Sequence, residues 1–117
     1  MRSYIPTVLE VGKMAEILRM AEEFKRRVSD EFGNAEVLLF GSHARADAGE
    51  ESDIDILVIL DKEVNLKVKE AIYDIAYELS LEHGMVLDVS VYSRAEWDRY
   101  KGVLPFIINV ESEGVLI

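Results

Sequence analysis

The stretch "LLFGSHARADAGEESDIDILVIL", residues 38–60, decides how this chain reads. It runs from an apolar segment into Gly41-Ser42, crosses a loop of small and acidic residues, and re-enters an apolar run through Asp53 and Asp55. Residues two apart in a strand share a face and lie roughly 6.5–7 Å from one another. Asp53, Asp55, Leu57 and Ile59 therefore fall on one side of "DIDILVIL", and Ile54, Ile56, Val58 and Leu60 on the other. The second side is wholly apolar and belongs to a core. On the first, two carboxylates stand together, where burial without a partner costs on the order of several kcal/mol and like charges disfavour each other. Such a pair stays ionised at a sheet rim in water, or where a cation bridges it.

Magnesium is the natural cation for hard oxygen ligands, held by one or two carboxylates with phosphate oxygens and waters around it. A phosphate then needs a cradle opposite the metal. Gly41-Ser42 offers one, because a residue without Cβ lets a phosphate approach and backbone N–H groups at a helix start favour anions. "HARAD" then reads as a helical turn. The plainer alternative is ordinary turn chemistry, with Ser42 capping the turn and D-x-D marking a solvated strand edge.

Working outward, Thr7-Val8-Leu9-Glu10 has capping-box spacing and opens a helix running to about Phe32. Met14, Leu18, Ala21, Val28 and Phe32 mark its expected buried face, and Gly33-Asn34 ends it. "AEVLLF" is a short strand into Gly41. After the central strand, a second long helix is expected to start at Asp61-Lys62-Glu63, with Val64, Val68, Ala71, Ile75 and Leu79 as its apolar stripe, and to stop at His83-Gly84. "MVLDVSVY", residues 85–92, alternates, so Asp88 faces outward with Ser90 and Tyr92. Ser93 to Glu96 is a second capping box for a short helix holding Trp97. Pro105 begins a last helix that Gly114 ends, and "VLI" follows. Trp97 and Phe106 are expected to fill the core beneath these helices. Tyr73 and Tyr77, one helical turn apart, either flank the core or mark a partner face. The expected fold is a small α/β (α+β) sandwich, one domain over residues 1–117, with helices packed on a mixed sheet of three to four strands.

The totals agree with this. A chain of 117 residues suits a single core, and half its residues are hydrophobic. No apolar run approaches the ~20 residues that span a bilayer, so no membrane association is expected. The opening "MRSYIPTVLEVGK" lacks a signal peptide's apolar region and there is no cysteine, so a cytoplasmic location is expected. A net charge of −10 argues against direct nucleic-acid binding, which relies on Lys and Arg at phosphates, and suits a basic protein partner or a metal-neutralised nucleotide.

Gly41-Ser42, ten residues, then Asp53-Ile54-Asp55 resembles the G-S-x10-D-x-D signature of the DNA polymerase beta-like nucleotidyltransferase superfamily. Chain length, the "GSHARADAGEESDIDILVIL" block and "PFIINVESEGVLI" resemble its minimal nucleotidyltransferases, antitoxins of HEPN/MNT toxin–antitoxin systems. The resemblance implies a third carboxylate on a neighbouring strand, for which Asp88 is the candidate, so that Asp53, Asp55 and Asp88 are catalytic and hold two Mg2+ ions. It also implies nucleotide binding by Gly41, Ser42 and Arg45, with ATP as donor. The expected reaction is AMP transfer to a hydroxyl, a tyrosine, of a HEPN-type toxin partner. The family block usually reads G-S-[RY]-A-R-G-[DE]. Here His43 and Ala46 depart from it, while Arg45 and Asp47 match. Two rivals stand beside this reading. One is an antitoxin that neutralises by binding alone. The other is a small-molecule nucleotidyltransferase acting as a homodimer.

Overall fold

A computed structural model describes residues 7–41 and 53–117. Ser42, His43, Arg45, Ala46 and Asp47, and the helical turn expected there, lie outside the described residues. The elements run α1 (Val8–Phe32), β1 (Ala35–Phe40), β2 (Ile54–Leu60), α2 (Leu66–His83), β3 (Leu87–Ser93), α3 (Arg94–Tyr100), α4 (Pro105–Glu113) and β4 (Val115–Leu116). The four strands form one mixed sheet in the order β3-β2-β1-β4. β1 pairs antiparallel with β2 and β4, while β2 and β3 are parallel and joined by the α2 crossover. Among the described residues no helix is long and apolar enough to cross a membrane.

Local chemistry explains most boundaries. Thr7 Oγ1 accepts the Glu10 N–H at 3.2 Å and starts α1, whose chain leaves through Gly33 at φ 84°. α2 begins at Leu66, five residues after the expected start at Asp61. Its cap is Asn65, whose Oδ1 accepts the Val68 N–H at 2.9 Å, and Asp61 lies instead 3.5 Å from Arg94 Nε. Gly84 ends α2 in the left-handed conformation, as expected. The capping box at Ser93 and Glu96 is present in both directions, and Pro105 stands in the first turn of α4.

The sheet is covered on both sides. Ile54, Ile56, Val58, Val37 and Leu39 meet Ile17, Met20, Phe24 and Val28 of α1 and Ile72 and Leu79 of α2. The α1 stripe therefore differs from the expected one: Ala21 and Val28 are buried, whereas Met14, Leu18 and Phe32 are only half-buried and Ile17, Met20 and Phe24 take the centre. On α2, Ile72 and Ala76 replace Ala71 and Ile75 at the centre for the same small rotation. On the other side Leu57 and Ile59 pack under Trp97, Ile107 and Val110. Trp97 is buried as expected. Phe106 stays 39% exposed, because α4 turns Ile107 and Val110 inward and leaves Phe106 edge-on to Phe40 at 5.4 Å.

Candidate active site

The alternation of β2 divides cleanly at its first turn of chain. Leu57 and Ile59 are covered by α3 and α4, but Asp55, on the same face, is half-buried and Asp53, one residue before the strand, is exposed. β3 lies parallel to β2 in the register that pairs Asp55 with Asp88. Partners directly across a ladder project to the same side of the sheet. Asp88 therefore shares the face of Asp55, and alternation puts Asp53 there too. The helices that cover the rest of this face stop short of its acidic end, which leaves Asp88 exposed as well.

β1 delivers the third component. Its last residue, Phe40, pairs with Asp55, so Gly41 arrives beside the carboxylate. Gly41 has φ 74°, a conformation that disfavours a side chain, and its missing Cβ is space that Asp55 uses. A Cβ added there would meet Asp55 Oδ2 closer than atoms allow. Two features of one motif, the glycine and the second aspartate, thus touch in the fold although far apart in sequence.

Among the described residues no three His, Asp or Glu side chains are drawn together closely enough to hold an ion as they stand. The backbone supplies a shared face of three hard oxygen donors, and like charges favour separation. Arg94 is bonded to Glu36 and near Asp61, which follows the far end of β2, about 20 Å along the strand from Asp55. Tyr92, further along the same face, packs edge-on to Trp97 at 6.1 Å, and burial pushes its hydroxyl pKa up, with Glu96 adding to the effect.

Of the residues singled out in the sequence, Asp53, Asp55, Asp88 and Gly41 lie at one end of one sheet face. Ser42 and Arg45 lie outside the described residues. Sequence reasoning did not find the Asp55–Gly41 approach; a glycine directly after a strand was the local signal.

Residues 21–117 match the model of the Nucleotidyltransferase domain family, and the chain belongs to that family. A protein of Methanocaldococcus jannaschii, named as a candidate protein adenylyltransferase, is 34% identical over 102 residues, covering 86% of this chain and 97% of its own. A second from the same organism, named in the same way, is 35% identical over 74 residues, 58% of this chain and 69% of its own. The crystal structure of a candidate nucleotidyltransferase from Sulfolobus solfataricus superposes with TM-score 0.60 at 26% identity, covering 97% of this chain and 90% of that one. A toxin–antitoxin structure with AMP-PNP shares the fold at TM-score 0.54 and 16% identity, over 81% of this chain and 70% of that one. The chain is a nucleotidyltransferase.

Proposed function

We propose that this nucleotidyltransferase moves AMP from ATP to the hydroxyl of a tyrosine on a HEPN-type toxin and so silences it, acting in the cytoplasm as a one-domain antitoxin. The observation that carries the reading is the register of Asp55 with Asp88 on the face where Gly41 meets Asp55. Relatives named as candidate protein adenylyltransferases, and structural neighbours that are toxin–antitoxin complexes, support the acceptor class.

The donor set fits a divalent cation, since all three groups are hard carboxylates and Gly41, without a side chain, lets Asp55 sit against the end of β1. Asp53, Asp55 and Asp88 would hold two Mg2+ ions, which when bound offset the triphosphate charge and acidify the attacking hydroxyl. The chain's own groups do the rest. The amide of Gly41, the hydroxyl of Ser42 and the guanidinium of Arg45 steady the β- and γ-phosphates. The acceptor oxygen forms a bond to the α-phosphorus as the bond to the bridging oxygen of pyrophosphate breaks. Asp88 takes the hydroxyl proton. The acceptor hydroxyl is carried by the toxin partner.

The test is incubation of the purified toxin pair with labelled ATP and magnesium. Label on the toxin that disappears in the Asp53→Asn, Asp55→Asn double variant supports the reaction; label that persists in that variant rules out the assigned site.

One observation favours the binding-only rival. Val103, Leu104, Phe106 and Ile108 are all exposed, an apolar patch that includes the Phe106 expected in the core. Toxin inhibition retained by the double variant would favour it.

A further inference from the structure

β3 is the edge of the sheet among the described strands, and its rim is open over a groove. The Ile54 N–H donates to the Val86 carbonyl at 2.8 Å, which sets the parallel ladder: residues 86, 88 and 90 face β2, while Leu87, Val89 and Val91 turn their N–H and C=O outward. Ser80 Oγ accepts the Leu87 N–H at 3.1 Å and Val91 is buried, so the accessible part of the outward rim is the Leu87 carbonyl and half-buried Val89. Beside it runs a groove of about 580 Å³ between α2 and β3, whose lining includes Tyr73, Tyr77, Leu81, Val86 and Asp88. These side chains are large and wet: Tyr77 is 65% exposed, Leu81 67% and Val86 56%. Asp88 belongs both to this lining and to the candidate active site. Glu70 and Asp74, each three positions ahead of a groove tyrosine and so on its side of α2, are also exposed, and outnumber Lys69, four positions ahead of Tyr73.

The geometry points to this groove as the acceptor's docking surface, taking an extended, basic and apolar segment of the acceptor protein as an added strand on β3 that brings its hydroxyl to Asp88. The inference rests on the proposed protein-acceptor reaction and adds where that protein lies. An exposed edge supplies main-chain hydrogen bonds, and alternate side chains of an added strand would drop between Tyr77, Leu81 and Val86. Charge selects the occupant: the chain is −10 overall, and the carboxylates along this groove favour Lys and Arg on the incoming strand. Continuity selects the location, since a segment paired to β3 passes the carboxylate that takes the proton.

The probe is a synthetic peptide of alternating valine and lysine around one tyrosine, added to the full chain without nucleotide, with amide exchange read residue by residue. The expected result is exchange at Val89 slowed about tenfold when peptide is at about ten times its Kd. A Tyr77→Lys, Leu81→Lys variant should lose that slowing. Unchanged exchange at Val89 overturns the inference, as does equal protection by a peptide with glutamate in place of lysine. Slowing that follows chain concentration without peptide also overturns it, because a second copy then owns the edge. A further arm adds ATP and magnesium. Protection of Val89 without AMP on the tyrosine supports the groove and counts against the proposed reaction, whereas AMP transfer without protection does the reverse.

Discussion

A Cβ placed on Gly41 would lie 3.1 Å from Cγ of Asp55 and 3.3 Å from its Cβ, and would overlap the carboxylate oxygen. The turn that ends β1 and the acid that opens β2 therefore occupy a space sized for both only when one of them has no side chain.

Gly41→Ala should show this in two measurements. The left-handed backbone costs about 1–2 kcal/mol for an alanine, a modest drop in thermal midpoint. Displacing Asp55 by a fraction of its own width should cost far more in function, about 100-fold in AMP transfer. Equal small losses in both would show that Asp55 tolerates the displacement.

Ser93 ends β3 and caps α3, the helix that presses Trp97 onto Leu57 and Ile59. Its Oγ accepts the Glu96 N–H at 3.1 Å, and Glu96 Oε1 accepts the Ser93 N–H at 3.2 Å. Ser93→Ala should lower the unfolding free energy by about 1 kcal/mol in urea titration, whereas Ser93→Asp should keep most of the cap.

Glu23 accepts from Arg26 and Arg27 on α1, and these bonds hold its carboxyl at about 2, below its ordinary value of 4.5. A carboxyl depressed in the folded chain adds stability that is fully present above its unfolded value and is lost as pH falls through the folded one. The stability gap between the wild-type chain and Glu23→Gln should therefore narrow as pH drops from about 4.5 to about 2. The pair is solvent-screened, so salt should narrow it too. A gap that stays constant across this range would show that the two arginines do not set it.

Alternation was enough to place β1 from Ala35 to Phe40 and to sort β2 into its two faces, because each strand is buried on a fixed side by a separate helical layer. Turn and cap residues such as Gly84, Ser93 and Pro105 were equally legible, since each acts on its own backbone. The helix stripes were less so. α1 packs on the sheet and on α2 together, and that double contact rotates its centre to Ile17, Met20 and Phe24, which local spacing does not encode. The early start assigned to α2 failed because Asp61 and Asn65 both suit a cap, and Arg94, distant in sequence, draws Asp61 away. At the site, spacing located Asp53, Asp55 and Asp88 as residues, but the pairing of Asp55 with Asp88 is a property of the β2–β3 ladder.

That ladder gives the chain an asymmetric tolerance to insertions and deletions. Length changes in the segment after Gly41 leave the alignment of the two acid-bearing strands untouched, because α2 and the β2–β3 hydrogen bonds set it independently. Removing one residue between Gly84 and Leu87 would instead offer β3 a choice between keeping its valines under the helices and keeping its aspartate beside Asp55. Hydrophobicity would settle that choice, and the acid would lose its place.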